Sequence, residues 1–284
     1  MKNQFGGLWT REKLNILEKY LVFYTTAMKN QPFTLHYVDA FAGTGKQDLR
    51  ISGLQEDFLP EEDLDGSVRI ALESEPGFSH YHFNDLNPEN AAEIRKIAES
   101  EYPSKSVFVR EMDANEFVPA FCSSLKANDR AVLFLDPFST QLDWETVNQI
   151  AHSDRIDLWL LFPISVILRM TPRDGVKLKP EWRDTLNRLL GTSDWEAALY
   201  RAKGKPPIDD LFGVERRDEL TERINVEELQ DWVTNRLKSV FAYVAAPKLL
   251  TNNGRPLFLF YFAVSNKSPA ARGLADRAIR SIMR

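Results

Sequence analysis

The sequence predicts an α/β protein in which helices cover both faces of a mostly parallel sheet. Along the first 162 residues, short apolar runs alternate with stretches of helical periodicity. Several of these runs end in glycine or in an acid, which is typical of the carboxyl ends of parallel strands. The last two runs are joined by the short turn Asn252-Asn253-Gly254-Arg255, so we expect them to pair in antiparallel fashion.

The first elements follow from spacing and from capping residues. Apolar side chains recur at helical spacing at Leu14, Leu17, Leu21 and Tyr24. They predict a helix from Thr10, a capping residue type, to about Lys29. A strand follows at 36–41. The acidic segment 56–65 then predicts a solvated loop.

The middle of the chain repeats one strand-helix unit. Gly66-Ser67 opens a helix, and Pro88 suits the first turn of the next one. Repeated in one direction, these units predict a parallel sheet. The strands are predicted at 80–85, 106–113, 131–136 and 156–162, and the helices at 66–75, 88–101, 115–126 and 144–152.

The pattern breaks after residue 163, where prolines interrupt the helical periodicity. We predict a core of residues 1–163 and 246–284 with an inserted helical segment, 164–245. One interpretation of this segment is a winged-helix-like module. Strands at 248–251 and 257–264 and a final helix at 269–283 complete the core.

Composition narrows the class of protein. At 284 residues, 43% hydrophobic and 27% charged, the chain can bury a large core. The net charge of -5 argues against a protein whose whole surface is basic and binds nucleic acid, but it does not exclude a local basic face. A single cysteine, Cys122, predicts no internal disulfide and a cytoplasmic location. We expect neither a membrane span nor secretion.

The turn Asp39-Ala40-Phe41-Ala42-Gly43-Thr44-Gly45, after the first strand, is the strongest indication of a site. Gly43 and Gly45 lack a Cβ, so a ligand can lie against the backbone. The turn lacks the glycine spacing of dinucleotide-binding proteins, and Gln47 after Lys46 excludes a P-loop. These features predict a nucleoside without a phosphate chain, and the alternative is a plain tight turn.

Acids also follow the next three strands. They are Asp85, followed by Leu86; Asp113, followed by Ala114; and Asp136, followed by Pro137, Phe138 and Ser139. Because the carboxyl ends of parallel strands meet at one edge, one ligand can touch all of them. Asp85 is predicted to bind ribose hydroxyls, and Asp113 with Ala114 to bind adenine. The alternative is that both acids cap helices.

The third acidic site suggests chemistry on an amine. A carboxylate and a backbone carbonyl, here of Asp136 and Pro137, can accept the N–H groups of an exocyclic base amine, while the ring of Phe138 stacks on the base. The alternative is a strand-end acid without a catalytic role.

These residues resemble class I S-adenosylmethionine-dependent methyltransferases. Phe41-Ala42-Gly43-Thr44-Gly45 is similar to the F-x-G-x-G motif of amino-group methyltransferases, and Asp136-Pro137-Phe138-Ser139 to a shortened D-P-P-Y motif in which one proline is missing and Phe replaces Tyr. The resemblance implies a Rossmann-like class I methyltransferase fold, with a mostly parallel seven-stranded sheet and an antiparallel last strand. It implies S-adenosylmethionine contacts at Asp39, Phe41, Ala42, Gly43, Thr44, Gly45, Asp85, Leu86, Asp113 and Ala114.

A closer resemblance spans nearly the whole chain. Trp9-Thr10, Lys13-Leu14, 37–43, 135–138, 157–159 and 161–163 resemble the bacterial three-Cys-motif partner proteins. That family implies a methyltransferase-like core and a protein partner with clustered cysteines.

Substrate contacts are predicted at the start of the chain and in the insertion. From Arg169 to Lys205, nine basic residues stand against five acids, a net charge of +4. This basic segment predicts nucleic-acid contacts, including Arg169 and Arg173, or else a solvated face. Trp9, Lys13 and Ser139 are further candidates. His80 and His82 share a strand face, but no third ligand has matching spacing, so no metal site is predicted.

Three functional hypotheses follow. The first is a methyltransferase that modifies a nitrogen of a nucleic-acid base or nucleotide. The second is a non-catalytic protein that senses S-adenosylmethionine together with a three-Cys-motif partner. The third treats the insertion as a module that recruits DNA or a protein.

Overall fold

A computed structural model describes residues 8–43, 66–202 and 221–283. The predicted contacts Thr44 and Gly45 and the acidic segment 56–65 lie outside these residues. The elements in chain order are α1 (Leu8–Met28), β1 (Thr34–Asp39), α2 (Gly66–Glu73), β2 (His80–Asn84), α3 (Pro88–Glu101), β3 (Val107–Arg110), α4 (Ala114–Ser124), β4 (Asp129–Leu135), α5 (Trp144–His152), β5 (Ile156–Phe162), α6 (Ile164–Met170), α7 (Pro180–Leu190), α8 (Trp195–Leu199), β6 (Tyr200–Ala202), β7 (Thr221–Arg223), α9 (Val226–Lys238), β8 (Tyr243–Val244), β9 (Lys248–Asn252), β10 (Arg255–Val264) and α10 (Pro269–Ile282).

The central sheet has the strand order β3-β2-β1-β4-β5-β10-β8, and β9 pairs with β10. The first five strands are parallel, whereas β10 is antiparallel to β5, β8 and β9. The order reverses between β1 and β4, as it does in doubly wound Rossmann folds. The predicted mostly parallel sheet with antiparallel last strands is confirmed. The sheet has eight strands instead of seven because the two-residue β8 joins it.

Two hydrophobic layers pack against the two faces of this sheet. Along β4, Leu133 and Leu135 point into the layer that contains α4 and α5, while Val132 and Phe134 point into the layer that contains α1 and α2. Successive side chains of a strand alternate between faces, so a strand buried on both sides is apolar throughout. This explains why β4 has the continuous apolar sequence from which it was predicted.

The segment 164–245 contributes to one of these layers. Leu186 of α7, Trp195 of α8 and Leu229 of α9 belong to the same buried cluster as Leu133 of β4. Within the segment β6 and β7 form a two-stranded antiparallel sheet, although only helices were predicted there. Each strand has three residues, too few for a visible alternation. The division of the chain at residues 163 and 246 stays a prediction.

Several element ends differ from the predictions. The first helix begins at Leu8, so Thr10 lies inside it, and the prediction that Thr10 caps it is wrong. Pro88 does occupy the first turn of α3, whose cap is Asn87. The third strand spans only Val107–Arg110, because the chain turns toward the cap of α4 earlier than predicted. Among the described residues, no helix has both the length and the apolar character that a membrane crossing requires.

Candidate functional site

A crevice with a volume of about 260 Å³ opens at the carboxyl ends of β1 to β4. This is the edge where the strand order reverses and where ligands bind in open α/β sheets. Eight predicted site residues line it, namely Phe41, Gly43, Asp85, Leu86, Asp113, Ala114, Asp136 and Phe138. The remaining lining residues were not predicted, and they are Ala40, Asn84, Asn90, Met112, Asn115, Gln141 and Arg188.

Asp39 lies beneath the crevice and is not part of its lining. Its carboxylate is fully buried and accepts hydrogen bonds from Ser67 Oγ at 2.7 Å and from the Phe41 amide at 3.2 Å. Burial raises the pKa of Asp39 to about 7, and these two hydrogen bonds oppose the rise. Asp39 therefore fixes the turn from below. Ala42 is also buried, and its amide donates to the Asn84 carbonyl at 2.9 Å.

Gly43 is in a position that a larger residue can occupy only if the side chains of Asn90 and Asp85 shift. A Cβ on Gly43 would lie 2.1 Å from Asn90 Nδ2 and 2.3 Å from Asp85 Oδ2. The backbone of the turn therefore approaches the side chains at the end of β2 closely, as glycine permits. This close approach joins the first two strand ends into one wall.

Asp85 is held by its own neighbours. Its Oδ1 accepts hydrogen bonds from the Asn87 amide at 2.7 Å and from Asn90 Nδ2 at 3.1 Å. The cap of α3 is Asn87, not Asp85, so the capping alternative for Asp85 is wrong. The adjacent Leu86 has an exposed fraction of 53% and leaves an apolar surface at the rim of the crevice.

Asn84 connects three strand ends. Its buried Nδ2 donates to the carbonyls of Ala40 at 3.1 Å and Met112 at 3.0 Å, and its Oδ1 accepts from the Met112 amide at 3.1 Å. Both N–H donors and the oxygen of this buried amide have partners, so Asn84 holds its neighbours in register. The position of Asn84 immediately before Asp85 was a signal that sequence reasoning missed.

Asp113 caps α4, as the alternative interpretation held, and also lines the crevice. Its side chain accepts a hydrogen bond from the Asn115 amide at 2.7 Å. The side chain of Asn115 turns toward the loop after β4. It donates to the Gln141 carbonyl at 2.7 Å and accepts from the Asp143 amide at 2.9 Å and from Thr146 Oγ1 at 2.8 Å. Asn115 thus ties that loop to α4.

Asp136 faces the crevice and forms an ion pair with Lys13. Lys13 Nζ lies 2.6 Å from Asp136 Oδ2, and the side chains are 2% and 17% exposed. Lys13 Nζ also lies 5.2 Å from the ring centroid of Trp9, which packs against Phe258. Of the two predicted contacts on α1, Lys13 therefore reaches the site directly and Trp9 supports it.

The residues after Asp136 divide into lining and supporting positions. Phe138 lines the crevice. Pro137 is buried and Ser139 is half-buried with a left-handed φ of 57°, and neither lines the crevice. Ser139 therefore turns the chain after Phe138, a conformation that few non-glycine residues adopt.

Among the described residues of the insertion, one side chain reaches the crevice. Arg188 of α7 lines it, pairs with Asp143 and donates to the Thr140 carbonyl at 3.0 Å. Arg169 and Arg173, which were predicted as substrate contacts, are not among the lining residues. No sequence signal distinguished Arg188 from the other basic residues of the segment.

Three of the four histidines, His36, His80 and His82, form a cluster outside the lining of the crevice. His36 Nδ1 lies 3.1 Å from His82 Nε2, and the rings of His36 and His80 are 5.1 Å apart. Burial lowers the pKa of His82 to about 3 and also lowers the pKa of His36. Within the described residues, no group of three or more His, Cys, Asp or Glu side chains has the arrangement of a metal site.

Comparisons with known proteins are distant. No protein-family model and no curated protein matches this sequence. A Legionella pneumophila protein with the family description DUF519 shares 12% identity over 98% of this chain and 93% of its own, with a TM-score of 0.48. Magnesium protoporphyrin IX methyltransferase from Synechocystis, solved with bound S-adenosylmethionine, shares 10% identity over 91% and 85%, with a TM-score of 0.38.

A third solved structure, an S-adenosylmethionine-dependent methyltransferase from Clostridium acetobutylicum, shares 11% identity over 87% of this chain and 91% of its own, with a TM-score of 0.36. Likenesses with TM-scores this low do not bear on function. The membership in the three-Cys-motif partner family stays a prediction, and the function must follow from the side chains of the crevice.

Proposed function

We propose that this protein binds S-adenosylmethionine in the crevice and transfers its methyl group to a nitrogen of a nucleic-acid base or nucleotide. One observation supports this most strongly. Gly43, Asp85 and Asp113, which suit an adenosine, line the same crevice as Asp136 and Phe138, which suit an amine on an aromatic ring. The sequence motifs and the convergence of four strand ends point to the same pair of ligands.

Three features of the crevice support binding of the cofactor. The missing Cβ of Gly43 lets the side chains of Asp85 and Asn90 pack against the turn, so the turn and the end of β2 form one wall of the crevice. Asp85 is fixed through Oδ1 by two donors, so its carboxylate is oriented for a ribose hydroxyl. Asp113 and the backbone of Ala114, at the start of α4, offer an acceptor and a donor to an adenine edge.

Asp136 and Phe138 support binding of the methyl acceptor. S-adenosylmethionine supplies an electrophilic methyl group on a sulfonium. Asp136, oriented by Lys13, accepts an N–H of the acceptor amine, and the ring of Phe138 stacks on the base. Holding the nitrogen in line, about 3 to 3.5 Å from the methyl carbon, is the main catalytic task. With the cofactor bound, the N–C bond would form as the S–C bond breaks, leaving a neutral thioether, and the methylated nitrogen would lose its proton to solvent water.

A second candidate function is a non-catalytic sensor of S-adenosylmethionine that works with a three-Cys-motif partner. Lys13 already occupies Asp136 Oδ2, so an acceptor amine must share this carboxylate. The missing second proline of the D-P-P-Y-like motif also favours this candidate.

Transfer of a labelled methyl group from the cofactor into total nucleic acid separates the two candidates. The enzyme labels nucleic acid, and Asp136→Asn lowers the rate by about 10²-fold or more while cofactor binding persists. The exposed acid Asp276 on α10 provides the control, since Asp276→Asn should keep the wild-type rate. Cofactor binding without labelling of either nucleic acid or added free nucleotides would instead identify the sensor, and normal turnover in a folded Asp136→Asn variant would refute the role of Asp136.

A further inference from the structure

The strand β3 forms one end of the sheet, and its outer edge is open. Among the described residues it pairs with β2 alone. The Tyr81 amide of β2 donates to the Ser106 carbonyl at 2.9 Å, so Ser106 and every second residue after it turn their backbone groups toward β2. The N–H and C=O groups of Val107 and Val109 therefore point away from the sheet. Of these groups, the Val109 carbonyl accepts a hydrogen bond of 3.4 Å from the exposed Arg110 side chain.

The middle of β3 is apolar, and its central side chain is exposed. Phe108 has an exposed fraction of 38% and lies on the face of the sheet that carries His80 and His82. Its ring stacks on the His82 ring with the centroids 5.1 Å apart. Val107 and Val109 pack into the hydrophobic layer on the opposite face. An open edge with an apolar centre is a template for pairing with another strand.

The sequence of β3 suits pairing with itself. In a two-fold arrangement centred on Phe108, antiparallel strands place each residue opposite the one that is equally far from Phe108 on the other side. Val107 then exchanges backbone hydrogen bonds with Val109 of the second copy, and the two Phe108 side chains lie opposite each other on one face. Arg110 lies opposite Ser106, which carries no charge.

The charges that flank β3 also complement each other in this arrangement. Lys105 and Glu111 are equally far from Phe108, so Lys105 of one copy lies opposite Glu111 of the other. Within one chain, Lys105 Nζ lies 3.3 Å from a carboxylate oxygen of the exposed Glu75, and Glu111 pairs with Arg95 at 2.5 Å. A second copy adds a further opposite charge to each of these surface groups. Opposite charges thus meet at both ends of the paired strands.

We propose that β3 pairs with β3 of a second copy of this chain, so that the two sheets continue as one across a two-fold axis. A contact of this kind uses the same surface on both copies, so it closes on itself and makes a dimer. Because the strands run in opposite directions in the two copies, the two crevices lie at opposite edges of the joined sheet. The dimer goes beyond the proposed function and does not depend on it.

Disulfide trapping tests the register of the paired strands. In a background with Cys122→Ala, Phe108→Cys should form a disulfide between two copies on mild oxidation. The Cα atoms of residues opposed in this way are about 4.5 Å apart, which is within the range of a disulfide. Arg110→Cys is the matched control. It lies opposite Ser106, so its own counterpart is about 13 Å further along the strand and should not cross-link.

Sedimentation velocity of the unmodified chain over a series of concentrations measures the dimerisation constant. Lys105→Glu and Glu111→Lys should each weaken dimerisation by about tenfold, because like charges then face each other twice in every dimer. The variant with both substitutions should recover the wild-type constant, which a folding defect would not do. Lys238→Glu, an exposed residue of α9, is the control and should stay within about twofold.

Cross-linking at position 108 but not at position 110, with recovery in the double variant, supports the proposal. A monomer at every concentration, equal cross-linking at both positions, or a double variant as weak as the single variants would each overturn it. A dimer that does not cross-link at position 108 would reveal a different interface and would also overturn it.

Discussion

Lys13 Nζ and Asp136 Oδ2 lie 2.6 Å apart, although 123 residues separate them in the chain. The ammonium of Lys13 is almost completely buried, while Asp136 faces the crevice. This ion pair joins the first helix to the carboxyl end of β4. It orients the acid to which we assign acceptor binding, and it makes that acid part of the stability of the fold.

Removal of either partner of this ion pair should destabilise the protein, and removal of Asp136 should cost more than removal of the Lys13 ammonium. Asp136→Ala leaves the ammonium of Lys13 buried without its carboxylate and should lower the free energy of unfolding by about 3 kcal/mol or more. Lys13→Met leaves a partly exposed carboxylate and should have a smaller effect. Urea unfolding of both variants and of the double variant measures the coupling. Single effects that simply add in the double variant would contradict a direct interaction.

Gly43→Ala should impair ligand binding more than stability. The new Cβ must displace Asn90 Nδ2 and Asp85 Oδ2, which are ends of side chains, so the free energy of unfolding should fall by only about 1 kcal/mol. Affinity for S-adenosylmethionine should fall by about tenfold or more. Gly273→Ala on α10 is the control, because its nearest atom is 3.9 Å away and alanine favours a helix. Unchanged affinity in Gly43→Ala would exclude close contact with this turn.

Asn115→Ala should loosen the loop after β4. It removes the side-chain bonds to the Gln141 carbonyl, the Asp143 amide and Thr146 Oγ1, so we expect a loss of about 1–3 kcal/mol in unfolding free energy. Because Phe138 lies on this loop, the KM for the acceptor should rise while the affinity for cofactor changes little. Thr146→Val removes one of these bonds and should show a smaller effect. Equal loss of cofactor affinity would show that Asn115 does not act through this loop.

Stability should depend on pH through Asp39. Its ordinary pKa is 3.8, and burial raises the pKa to about 7 in the folded protein. The folded state therefore retains a proton that the unfolded chain has already lost. The stabilisation that this proton provides is complete below about pH 4 and disappears as the pH rises through about 7. Asp39→Asn cannot titrate. Its stability relative to the wild type should therefore increase by about 1 kcal/mol or more between about pH 5 and pH 8.

Asp157 is a second buried carboxylate that titrates in the same pH range, and its contribution must be separated from that of Asp39. Burial raises its pKa to about 7 as well, but it lies beside Tyr20, whose hydroxyl donates to Asp157 Oδ2 at 2.6 Å. Asp157 titrates in both proteins, so its contribution cancels in the comparison. A pH-independent difference between Asp39→Asn and the wild type would show that Asp39 is ionised in the folded state.

The centre of the parallel core was predictable because β4 and β5 are buried on both faces. The continuous apolar sequence of β4 and the acid that follows it are sufficient to place Asp136 at a strand end. Asp85 and Asp113 were located by the alternation of strands and helices, because β2 and β3 contain polar residues and are less buried than β4.

The remaining site residues depend on contacts between distant parts of the chain. Asn84 and Asn115 are short polar side chains next to strand and helix ends, where most such residues serve turns and caps. The partners of Asn84 come from two other strand ends, and those of Asn115 from the loop after β4 and from α5, so they appear only in the assembled fold. Lys13, which pairs with Asp136, and Arg188, which lines the crevice and pairs with Asp143, come from elements 123 and 45 residues away from these acids, and no periodicity in the sequence predicts such contacts.

Calorimetric titration with S-adenosylmethionine and with its demethylated product tests the central claim most directly, with ATP and NAD as controls. We expect S-adenosylmethionine and its demethylated product each to bind saturably at one site per chain. Both affinities should fall by about tenfold or more in Asp85→Asn, and ATP and NAD should not bind comparably. Heat of binding for ATP or NAD alone, or equal affinity of Asp85→Asn and wild type for S-adenosylmethionine, would contradict the assignment of this crevice.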